Sequence, residues 1–143
     1  MIRLLICWMA SLWSITICGQ DNCKAFLWQG DSCRYEACQY LQNTPRYFQL
    51  TKEFHLVHDT AIAICPNYSD TYRAKSVAYL KTGDFINWKR LIDKAVELNP
   101  TEHLGYRAWC HFQFFRDYQS AIKDFEQLDK LIDYDLGQSQ NGD

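Results

Sequence analysis

From Phe85 to Leu98 the chain reads FINWKRLIDKAVEL, with Phe85, Trp88, Leu91, Ile92, Ala95 and Leu98 at steps of three and four. That is the period of one face of an α-helix. The preceding stretch, Asp70 to Thr82, has no Gly or Pro and gathers Tyr72, Val77, Ala78, Tyr79 and Leu80 near one side. Gly83-Asp84 separates the two, Gly suiting a left-handed C-terminal stop and Asp suiting the cap of the next helix. Asn99-Pro100-Thr101-Glu102 restarts the pattern, because Asn can cap a helix, Pro fits its first position and Glu102 sits where a capping box needs it. A third helix over Thr101 to Phe115 and a fourth over Tyr118 to about Asp133 follow, broken at Arg116-Asp117. Upstream, Thr44-Pro45 reads as the cap and first position of a long helix to Ile64, and Asp21 to Leu41 as a less regular one. The expected fold is all-α.

The chain also repeats itself. Asp59, Ala61, Pro66, Tyr72, Arg73 and Ala74 recur 34 residues later as Asp93, Ala95, Pro100, Tyr106, Arg107 and Ala108. Ile62 and Ile64 have conservative partners in Val96 and Leu98. After Arg116 the spacing shortens by one residue, so Phe85 maps to Tyr118 and Ile92 to Phe125. A two-helix unit cannot bury its apolar face alone, so such units stack on their neighbours.

These motifs resemble the tetratricopeptide repeat family, whose two-helix unit has this period. Tyr72, Ser76, Tyr79, Gly83-Asp84-Phe85, Ala95 and Pro100 fall on the family pattern, and in the next unit Ala108, Asp117-Tyr118, Ala121 and Phe125 do. Trp88 stands where the family has Ala, Leu128 where it has a small residue, and the second unit lacks a closing Pro. The resemblance implies a helical-hairpin solenoid of about three antiparallel helix pairs, with a concave face that binds a peptide or partner protein. With its leader and irregular first pair, the chain also resembles secreted repeat proteins of Bacteroidetes-type bacteria.

The leader comes first. Between Arg3 and Asp21 there is no charge, and Leu4 to Ile17 is largely apolar, the layout of a secretory signal peptide. Residues 1–19 are read as that leader. A lipoprotein box ending on Cys18 and an uncleaved anchor are the alternatives. All three export the remainder to a periplasmic, secreted or envelope-attached location. Residues 20–65 then form the irregular first pair, 66–133 the two repeat-like pairs, and 134–143 a polar tail or the start of another repeat. Of seven cysteines, five remain after cleavage at Gly19, an odd number for an oxidising compartment. They read either as small buried hydrophobes or as a bridge joining Cys23 to Cys33 or Cys38.

Composition narrows the function. Net charge is −2, with 22% charged residues, so no basic excess exists to neutralise phosphates and nucleic acid is excluded as a partner. Six Gly and three Pro suit long helices with few breaks. On the first helix of each pair, the residue after the repeated Tyr is expected on the concave face. This gives a candidate site of Tyr72, Arg73, Val77, Lys81, Tyr106, Arg107, His111 and Phe114. Two arginines in register offer forked donors for an acidic or C-terminal peptide. The competing reading has Arg73 and Arg107 pairing with local acids such as Asp70 or Glu102.

His55 and His58, and His103 with Cys110-His111, raise a zinc or Cys/His-nucleophile possibility, but none has CxxC or HExxH spacing. The expectation is a non-catalytic scaffold with no cofactor, no metal and no integral span in the mature form. Trp88, Trp109, Phe112, Phe114 and Phe115 carry more aromatic area than a small solenoid needs. They fill the space between helices or, if exposed, make the chain a subunit that self-associates or docks into an envelope assembly.

Overall fold

The computed structural model describes residues 22–133, and among them every regular element is a helix. Residues 1–21, where a leader is expected, and 134–143, where a polar tail or a further repeat is expected, lie outside the described residues. The elements are α1 (Lys24–Trp28), α2 (Ser32–Asn43), α3 (Lys52–Ile64), α4 (Ser69–Thr82), α5 (Phe85–Leu98), α6 (Pro100–Cys110) and α7 (Tyr118–Asp129). A π-helical turn, His111–Phe115, extends α6. Each helix packs against the next along the chain, α4 on α5 and α6 on α7 most extensively. None of the described helices is long and apolar enough to cross a membrane.

The ends of α4 and α6 show how similar sequence builds similar turns. Gly83 takes the left-handed conformation at φ 78°, its N–H donating to Leu80 O and that of Asp84 to Tyr79 O, so the last carbonyls of α4 are satisfied. The Asp84 carboxylate then accepts from Asn87 N at 3.1 Å and starts α5. At the second turn Asp117 accepts from Ser120 N at 3.1 Å in the same way. Here, however, Arg116 occupies the left-handed position, at φ 55°. A side chain there costs about 1 kcal/mol relative to Gly. The wider π turn before it lets Asp117 N reach back to His111 O.

The N-terminal part departs from the expected helices. The stretch from Asp21 to Leu41 holds two helices, because Gly30, at φ 75°, ends α1 and Asp31 caps α2 by accepting from Arg34 N at 2.8 Å. The long helix expected from Pro45 starts only at Lys52. Thr44 precedes a proline and is extended, at φ −91° and ψ 142°, so it ends α2 instead of starting α3. The cap of α3 is Thr51, whose Oγ1 accepts from Phe54 N at 3.3 Å.

The cysteines correct the sequence reading as well. Cys23 bridges Cys38, one of the two partners expected, and Cys33 bridges Cys65, which was not anticipated. Among the described residues, Cys110 is the one free thiol, and it is buried. The two bridges tie α1, α2 and the end of α3 together around Ala37, Ala61 and Tyr68. The later helices enclose a different core: Leu80, Trp88, Ile92, Ala95 and Cys110, continuing into Val96, Leu104 and Leu128.

Candidate binding cleft

A cleft of about 510 Å³ opens where α2, α3, α4 and α6 meet the extended segment after Thr44. Leu41, Pro45, Tyr47, Phe54, Val57 and Tyr68 supply its apolar and aromatic wall. Asp70, Thr71, Arg73, Glu102 and His58 supply its polar groups. The volume is within the range of small-molecule and peptide-side-chain sites. The wall exists because Pro45 breaks the helix. Had α3 begun there, Pro45 and Tyr47 would sit on a helix and not along α4.

Arg73 is the one expected site residue that lines this cleft. It is exposed, with its guanidinium 4.7 Å above the ring of Tyr106. A cation over an aromatic face keeps its in-plane N–H groups available while the stem is held. Tyr106 in turn stacks on Trp109 and contacts Cys110, and burial raises its phenol well above the usual range. The same environment pushes the Cys110 thiol up to about 11, the opposite of what a nucleophile needs.

Arg107 does not join Arg73. It is held inside, donating to both oxygens of Asp124 at 2.8 and 2.7 Å and to Asp93 at 2.8 Å. The expected pair of outward arginines is thereby corrected, and the acids that take Arg107 are not the ones anticipated. The repeat explains why. The counterpart of Asp93 is Asp59, but Asp59 is taken by the buried Lys75, whose own counterpart is Trp109. The counterpart of Asp124 is Leu91, which offers no charge. Arg73 therefore finds neither acid and turns to Tyr106.

The other expected residues scatter. Tyr72 is half-buried against the core, its hydroxyl donating to Pro66 O at 3.0 Å. Val77 is half-buried, and Lys81 donates to Gln49 Oε1 at 2.6 Å, tying the extended segment to α4. His111 is buried beside Trp88 and Phe115, and Phe114 is exposed with its ring edge-on to Trp109. Asp70 and Glu102, the local acids expected near the arginines, line the cleft together with Arg73.

Behind the cleft, His103 is fully buried, and neither ring nitrogen has a hydrogen-bond partner among the described residues. Its Nε2 stands 3.6 Å from Asp70 Oδ1. Burial, joined by the Arg73 charge, outweighs Glu102 and lowers its pKa to about 4, so it is neutral at physiological pH. His58 is kept below its usual range by burial too, while Nδ1 lies 2.8 Å from Phe54 O. Among the described residues, the grouping with metal-ligand spacing, Asp31 with Cys33 and Cys65, has its two sulfurs joined to each other and offers no thiolate.

No family model matches the sequence. Neither a curated protein nor a solved structure is similar to it at a significant level.

Proposed function

We propose that the chain is an exported, non-catalytic interaction scaffold of the tetratricopeptide kind, and that it binds an extended peptide segment in the cleft beside Arg73. The observation that carries this reading is the cleft itself. It combines an aromatic and aliphatic wall with one solvent-facing guanidinium and two carboxylates. The guanidinium suits an acidic side chain or a C-terminal carboxylate, and the exposed Glu102 can accept from peptide N–H groups. The repeated Tyr-Arg-Ala and Gly-Asp-aromatic motifs support the family likeness, and two closed disulfides support export to an oxidising compartment.

The test is selection of peptides from a displayed random library on the oxidised protein, followed by calorimetry of the winners. Peptides ending in or carrying a carboxylate should emerge and lose at least tenfold affinity on Arg73→Glu, with Val57→Asp as an independent cleft variant. No enrichment, or affinities unchanged in both variants, would overturn the reading. A second reading, docking through aromatic helix faces, is favoured by Trp109, Phe112 and Phe114, which are 37%, 48% and 52% exposed.

A further inference from the structure

The internal repeat allows two equivalent helices to be compared. On α5, Ile92 is 0% exposed because α6 lies on it, with Arg107 on Asp93, while Phe85, edge-on to Phe115 at 4.9 Å, is 49% exposed. On α7 the counterpart Phe125 is 41% exposed, beside Tyr118 at 48% and Ile122 at 51%, and the described elements that pack extensively on this helix are α6 and the π turn alone. Phe112, 48% exposed, extends the strip through its contact with Tyr118 at 5.9 Å. Tyr118, Ile122 and Phe125 stand at i, i+4 and i+7, so they share one face beside the one that packs on α6 through Ala121, Asp124 and Leu128. The middle position is the informative one. Ile122 stands where α5 carries the half-exposed Lys89, so at an equally exposed position α7 presents an apolar side chain and α5 a charge.

We infer that this face of α7 is where two copies of the chain meet, helix to helix and antiparallel about a two-fold axis. This goes beyond the peptide cleft and does not depend on it. The charges favour a second copy over an unrelated helix. Exposed Arg116 stands before the N-terminal end of α7, and exposed Glu126, Asp129 and Asp133 lie towards and beyond its C-terminal end. An antiparallel pairing centred between Ile122 and Phe125 sets Ile122 of one copy against Phe125 of the other. It also brings each Arg116 beside the acidic end of the facing helix and opposes the two helix dipoles. The surface therefore carries its own complement. A strip of four large side chains is small for a permanent interface, so the exchange is expected in the micromolar range.

Sedimentation equilibrium of the oxidised chain at pH 7.5, from low to high micromolar concentration, tests this. The expected result is a reversible shift from monomer to dimer mass and no further. Phe125→Asp should hold the chain monomeric with its helical circular dichroism intact, and Ile122→Glu should do the same if Phe125→Asp costs helicity. Arg116→Glu should weaken the dimer about tenfold, and the added Asp129→Lys should restore it by exchanging the charges. A monomer at every concentration overturns the inference. So does a mass that grows past the dimer, an association unchanged by both apolar variants, or a charge exchange that fails to rescue.

Discussion

The two halves of the molecule are held by different means. Up to Tyr68, the buried apolar side chains are Cys23, Ala37, Cys38, Ala61, Cys65 and Tyr68, and three of these six are half-cystines. Beyond it they include Trp88, Ile92, Leu104 and Leu128, all but fully enclosed. Small side chains bury little area, and at roughly 25 cal/mol per Å² an alanine and cystine core stabilises its helices weakly. Covalent closure compensates by restricting the unfolded chain, with about 3–4 kcal/mol expected for loops of these lengths. Helical order therefore carries no information about what maintains it.

Reduction should show the contrast most strongly. With dithiothreitol, amide exchange read by mass spectrometry should lose protection across α1, α2 and α3 while α5 and α6 keep theirs. The cleft, walled by Leu41, Pro45 and Tyr47 from the bridged half, should stop binding selected peptides. Uniform loss of protection, or none, would show that the two halves are one cooperative unit.

Acid should act in the other direction, on the later helices. His103 is neutral when folded, and the unfolded chain takes up its proton near pH 6.5. Stability is then flat above that pH and falls as pH drops towards about 4, the folded value. By pH 4.5 the loss from this one residue is roughly 2–3 kcal/mol. His111 shifts the same way through burial and adds to it. Guanidinium midpoints at pH 7.5 and 4.5 should draw together in His103→Gln, and an unchanged gap would remove the assignment to His103.

Much of the later half was legible in the sequence. Gly83-Asp84 and Asp117 marked their turns, and the apolar steps of α5 located Trp88, Leu91, Ile92 and Ala95, all of which are buried. Those signals are local, and the helices obey them. The cleft was mostly not legible. Pro45 reads equally as a first helical residue or as a breaker, since the extended Thr44 that a following proline favours suits either, and what decides is that Thr51 caps α3 and Lys81 of α4 holds Gln49. Arg107 shows another kind of limit. Repetition placed it beside Arg73, but its fate depends on Asp124, an acid absent from the earlier unit. The pairing of Cys33 with Cys65 joins residues whose approach depends on where α3 begins.

The smallest effect concerns the paired turns. Replacing Arg116 by Gly should raise stability by about 0.5–1 kcal/mol, since the backbone already has the conformation Gly prefers. Gly83→Ala should lower it by a similar amount, and no atom lies within 4 Å of the added methyl, so the cost is conformational alone. Opposite signs in thermal melts of the two variants would show that the turns are equivalent. Equal signs would show that the π turn has changed the second one.

The sealed thiol of Cys110 also matters for how the chain reaches this state. It belongs to the half that closes without any bridge, packed with Trp88 and Ile92. Once that half has formed, an oxidant meets only Cys23, Cys33, Cys38 and Cys65 among the described residues. Four cysteines can pair in just three ways, whereas a fifth accessible thiol would multiply the wrong isomers and keep disulfide exchange running. An unbridged half that closes first would thus shield the bridged half from scrambling.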